Sequence, residues 1–390
     1  MSQAWTVGFW LGVAFVGMLV GMLAGIVPAW AGYRRRQPAL GIAGFGACCI
    51  AGAVGNAVTA VPVSLFFAWL ISKRARRAAT SDAAPNTSPQ SPAGSPRLTY
   101  AGLGAAGLND GWRYAASGMC IAYMWFIVGV TLAGGLAFLS PPGVSPYWTL
   151  AAVLSAHVPM LLGVALAVGR FHRRSLMTLV NTVGRVRWAK AARALGIWAA
   201  IIAALSAVEL VLRPGHAVYT LELSKWLPFA LFAFPLLVLQ SAAEEFLFRG
   251  YLFQSLSVAT RRRAVVILAS SLLFAAVHIP ASLAIAVYYV GFGVFLTWVV
   301  VRDQGLEAAI GIHVGHNVMA MLFIPSVDDF ALLADLPAVF RATVPNDAFS
   351  LAQLGLAMLV FTGLYFGLGK RAHMARPVGE RVFSTTVSGT

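Results

Sequence analysis

The chain has 390 residues, 59% of them hydrophobic and only 11% charged, with a formal net charge of +15. A soluble globular domain carries about 25% charged residues, so composition excludes a water-exposed fold and points to a polytopic helical membrane protein. The basic excess lies in short runs at the ends of apolar stretches, which reads as topology marking and contact with the lipid bilayer, and argues against nucleic acid as a partner.

The first apolar stretch runs from Trp5 to Trp30 and ends at Arg34, Arg35 and Arg36. No basic residue precedes it, and it exceeds the roughly 7–15 residues of a signal-peptide core, so a retained helix is expected. The second, Ala39 to Ser72, is long for one pass and short for two; it reads either as one tilted helix or as a hairpin broken near Pro62. Residues 1–72 are thus expected to form N-terminal membrane helices. Residues 73–111 begin with Lys73, Arg74, Arg76 and Arg77 and turn rich in Ala, Ser and Pro, including Pro85, Pro89, Pro92 and Pro96. Too little apolar surface is present to offset ordering, so a disordered cytoplasmic linker is expected. The cysteines Cys48, Cys49 and Cys120 lie in apolar stretches without metal spacing, which indicates neither disulfides nor zinc.

Residues 112–372 then show eight apolar segments, near Ala115–Leu139, Tyr147–Val168, Ala192–Leu212, Trp226–Phe248, Ala264–Ile279, Ser282–Val301, Leu306–Ile324 and Leu351–Leu368. Most approach the ~20 residues needed to cross a bilayer. The expected fold is therefore all-α: a polytopic transmembrane bundle with a core of about eight helices and one or two extra helices at the N-terminus. If the eight alternate, the positive runs at 170–190, 261–263, 302 and 370–371 fall on one side, which the positive-inside rule makes cytoplasmic. The linker and the tail, 373–390, fall there too. The acidic stretch with Asp328, Asp329, Asp335 and Asp347 falls opposite. Arg34 to Arg36 fit this orientation only if Ala39–Ser72 is a hairpin.

Three polar groups interrupt these segments. In SAAEEFLFRG, Glu245 and Arg249 are four apart and share a helical face, while Glu244 points about 100° away and stays available. The bland alternative is an ion cluster at a helix end, with Arg249 snorkelling to the headgroups. In LLFAAVHIP, Phe274 and His278 are four apart; a lone histidine at a helix end is more often a packing residue than a catalyst. In GIHVGHNVMA, His313 and Asn317 share a face, His316 lies three residues from His313, and Gly311 and Gly315 offer close packing on a neighbour. Ionisable groups at bilayer depth cost roughly 2.5–3.5 kcal/mol at a helix centre even on lenient scales, so they normally face a protein-lined cavity.

The ordered set EExxxR, FxxxH and HxxxN, carried by Glu244-Glu245-Arg249, Phe274-His278 and His313-Asn317, resembles the CPBP family, the type II CAAX prenyl endopeptidase or ABI family of intramembrane glutamate proteases. The match covers roughly residues 227–324. The resemblance implies an eight-helix bundle and a metal-independent endopeptidase with no cofactor. Glu244 would activate water, His278 orient it, and His313 with Asn317 form the oxyanion site. Glu245 and Arg249 would hold the first motif, with Phe274 as packing support. The implied partner is a membrane-associated peptide or protein substrate, lipidated or not, cut at the cytoplasmic membrane of a bacterium, a source suggested by the Ala, Gly and Arg richness. Competing readings are a non-proteolytic immunity or scaffold protein of the same fold, a zinc-dependent protease using Glu244, His278 and His313, and a transporter.

Overall fold

The computed structural model describes residues 20–81, 99–139, 145–260, 262–278, 280, 282–325 and 336–367. The start of the first apolar stretch, the middle of the linker (82–98) and the tail lie outside the described residues. Helix α1 covers 20–34 and turns through Arg36, whose φ is +54°, into α2, Pro38–Ser81. The second apolar region is thus one continuous helix of 44 residues that carries Pro62 inside it and runs on through the first positions assigned to the linker.

The bundle continues with α3 Gly111–Phe138, α4 Tyr147–Phe171, α5 Trp188–Leu212, α6 Leu223–Ala259, α7 Arg263–Val277 and α8 Leu283–Asp303. Helix α9, Glu307–Val318, is prolonged by a π-helical turn at Met319–Phe323, and α10 is Ala348–Gly367. Among the described residues six helices, α3, α4, α5, α6, α8 and α10, are long and apolar enough to cross a membrane. The protein is an all-α polytopic bundle, as composition and periodicity led us to expect. Two three-residue strands, β1 Ala217–Tyr219 and β2 Phe340–Ala342, pair antiparallel and tie the α5–α6 connection to the segment before α10.

The two shorter core helices are the ones that carry His278 and His313. Helix α7 has 15 residues, and α9 with its π-turn is enclosed by its neighbours, with eight buried residues from Glu307 to Gly315. A helix buried on all sides is an interior element. Close approach explains its glycines: a Cβ on Gly311 would lie 2.1 Å from the Ala191 carbonyl of α5, and one on Gly315 3.1 Å from that of Leu195. At the start of α9, Glu307 takes Arg187 Nη2 at 2.5 Å and Asn181, and Asp303 takes Lys190 and Arg187. Two basic residues expected at the headgroups, Arg187 and Lys190, therefore hold helix ends together.

The last part of the linker is an ordered strap over 99–110 that includes a 3-10 helix, Ala101–Ala106. Tyr100 is fully buried; its hydroxyl donates to the Leu179 carbonyl at 2.5 Å and to that of Arg249 at 3.3 Å. Arg174 donates to Leu103 O at 3.1 Å and Gln254 Oε1 at 2.8 Å, and His172 Nδ1 donates to Leu108 O at 2.8 Å.

Candidate active site

Helices α6 and α7 form a hairpin about 260–262, and its arms fix the depth of the site. Glu244 lies fifteen positions before Ala259 and His278 fifteen positions after Arg263. Ser270 Oγ of α7 donates to the Phe248 carbonyl of α6 at 2.9 Å, and the packing of the two helices brings His278 near the depth of Glu244. Helix α9 brings His313 to the same place between α6 and α8.

The two carboxylates do different things. Glu245, fully buried, accepts from Arg249 Nη1 at 2.7 Å and from His313 Nδ1 at 2.8 Å. The Arg249 guanidinium also lies over the Phe274 ring, 4.2 Å from its centroid. The pairing expected from the four-residue spacing is therefore present, in a π-helical turn, Phe246–Leu252, a backbone form frequent at functional sites. Glu244 points elsewhere. Its Oε1 accepts from Gln240 Nε2 at 2.5 Å and lies 3.2 Å from His157 Nε2. Its Oε2 is buried without a hydrogen-bond partner and lies 3.8 Å from His278 Nε2 and 3.7 Å from His313 Nε2.

The outer nitrogens of both imidazoles are committed. His278 Nδ1 lies 2.7 Å from the Phe274 carbonyl and donates to it, as His313 Nδ1 donates to Glu245. In the neutral rings, Nε2 then carries a lone pair, so three acceptors face one another across gaps too long for a direct hydrogen bond. A water in the gap can donate to two of the three, Glu244 Oε2 and one imidazole nitrogen.

Phe274 packs as expected. It is buried, edge-on to Phe248 at 5.3 Å and to His313 at 5.9 Å, and tilted against His278 at 4.6 Å. Asn317 joins the site indirectly: its Nδ2 donates to Gln240 Oε1 at 2.7 Å and Ser241 Oγ at 3.2 Å, so it reaches Glu244 through the Gln240 amide. His316 turns away, against Phe292 at 4.5 Å and with Nε2 3.2 Å from the Tyr288 hydroxyl. Sequence reasoning missed His157, Gln240 and the Tyr289 ring that lies 4.5 Å from His278. For His157 a signal existed: it is an ionisable residue in the middle of the largely apolar α4, far from Arg170 at its end.

Residues 226–319 match the family model described as type II CAAX prenyl endopeptidase, Rce1-like. The chain is 23% identical over 289 residues to the uncharacterized protein YyaK of Bacillus subtilis (strain 168), an alignment covering 68% of this chain and 95% of that one. No solved structure matches. The matched stretch contains Glu244, His278, His313 and Asn317, and in it this integral membrane protein is similar to the Rce1-like type II CAAX prenyl endopeptidases.

Proposed function

We propose that the protein is an intramembrane endopeptidase in which Glu244 activates a water to hydrolyse a peptide bond of a membrane-associated peptide or protein. The observation that carries this reading is the unpartnered Oε2 of Glu244, buried and facing the Nε2 atoms of His278 and His313 at 3.8 and 3.7 Å. A water in that gap can give a proton to Oε2 while its oxygen attacks a carbonyl carbon. His278, braced on the Phe274 carbonyl, orients the water. His313 donates to the developing oxyanion when Nε2 carries a proton. Asn317 Nδ2 supplies a second donor by releasing Ser241, the longer of its two contacts. Glu244 then returns its proton to the leaving amine. Donors held in place in a water-poor interior stabilise such charge far better than they would in water. The reaction uses the side chains alone, without a metal.

The test compares peptides released from membranes carrying the intact protein with those from a Glu244→Gln variant of equal abundance. General-base loss lowers rates by about 10²–10⁴-fold, so products that vanish in the variant are expected. Identical peptide profiles would overturn the protease reading in favour of a scaffold. Loss of cleavage to a chelator, restored by zinc, would favour the metal-dependent alternative.

A further inference from the structure

We infer that His157 is a positioning residue for this reaction, holding the Glu244 carboxylate in the one rotation that presents Oε2 to the water. The inference rests on the endopeptidase reading above, but its support lies on α4, outside the segment that matches the family.

The chain is built to deliver this ring. Pro159 lacks an N–H and crowds the carbonyl four residues back, that of Ser155. The helix breaks at Ala156, between Ser145–Ser155 and His157–Leu166. On the facing helix, the π-helical turn Tyr123–Gly129 ends at a glycine whose Cβ would lie 2.8 Å from the Ala156 carbonyl, so α3 approaches the break closely. Trp125 in that turn stands 6.3 Å from the imidazole and walls it in. The ring is nearly enclosed, its side chain 12% exposed, with Nδ1 3.2 Å from Leu154 O and Nε2 3.2 Å from Glu244 Oε1. A doubly protonated ring satisfies both acceptors; the Nε2–H tautomer satisfies the carboxylate alone.

A carboxylate on a long side chain can rotate about its last bond and exchange its oxygens. Two donors on Oε1, Gln240 from one turn back on α6 and His157 from across the bundle, fix the plane. Gln240 moves with Glu244 on the same helix; His157 is the anchor from outside it.

The test uses the full-length protein in membranes and the cleavage products that Glu244→Gln abolishes. We expect His157→Leu to slow their formation about 10–100-fold at unchanged abundance and thermal stability, and His157→Gln, which keeps a donor near Nε2, to recover most of that loss. Unchanged rates in His157→Leu would overturn the inference while leaving the protease reading intact. Equal slowing in both variants would also overturn it, since filling the space and not donating would then be the role. A loss of abundance in both, without rescue, would do the same. If Glu244→Gln abolishes no product, the function and the positioning role fall together, an outcome distinct from the others.

Discussion

Glu245 and Arg249 are both fully enclosed and pair through Oε1 and Nη1, while Glu245 Oε2 and Arg249 Nε are buried without a hydrogen-bond partner. Removing one partner of a buried pair strands a charge, at about 3–5 kcal/mol. We therefore expect Arg249→Ala to lower thermal stability in detergent steeply, and Arg249→Lys to do so less, because it keeps the charge but loses the planar stacking on Phe274. An unaltered melting temperature in Arg249→Ala would show that Glu245 finds another partner. The consequence reaches the chemistry, since the same Glu245 oxygen accepts from His313 Nδ1 and so sets which nitrogen of that ring faces Glu244. Residue spacing foretold the Glu245–Arg249 pair; the link to His313 depends on α9 lying beside α6, which no local spacing encodes.

At the scale of elements, the strap over 99–110 is clipped to the helix ends by His172, which donates to Leu108 O and accepts from the Tyr251 hydroxyl at 3.1 Å. Burial pushes the His172 imidazole below its ordinary value of 6.5; the Leu108 carbonyl works the other way, and Arg174 and Arg113 add to the lowering. A released strap would leave His172 free to take a proton near 6.5, whereas the docked one resists it. Docking is therefore at full strength above that pH and weakens as pH falls below it. Hydrogen exchange of residues 99–110, corrected for intrinsic rates, should be protected at pH 7.5 and faster at pH 5.5, with α5 unchanged as the internal reference. Equal protection at both values would show that His172 does not bear on the strap. The sequence hid this element because a Pro- and Ser-rich composition runs up to it; Tyr100 and Leu103, both buried, were the signal that packing resumes before α3.

For the whole molecule, we expect both ends of the α6–α7 hairpin turn and the loop before α5 to face the cytoplasm. A reporter of membrane sidedness placed near Arg185, and another near Arg262, should both read cytoplasmic; opposite readings would break the eight-segment alternation. Apolar segment lengths and basic runs made the bundle legible, because crossing a bilayer constrains every segment in the same way. The ordered motifs singled out four candidate site residues and the neighbours that pack on them. What stayed hidden comes from contacts between distant helices: His157 reaches Glu244 from 87 positions away, and Gln240, a neutral amide, carries no charge to draw notice. The short α7 has a bearing on the lipid itself. Its 15 residues rise about 22 Å, against a hydrocarbon slab of about 30 Å, so beside His278 the protein offers a wall several ångströms too low. A bilayer meets such a mismatch by thinning, which draws the headgroup layer, and the water it carries, towards the side of the bundle where the proposed hydrolysis would use it.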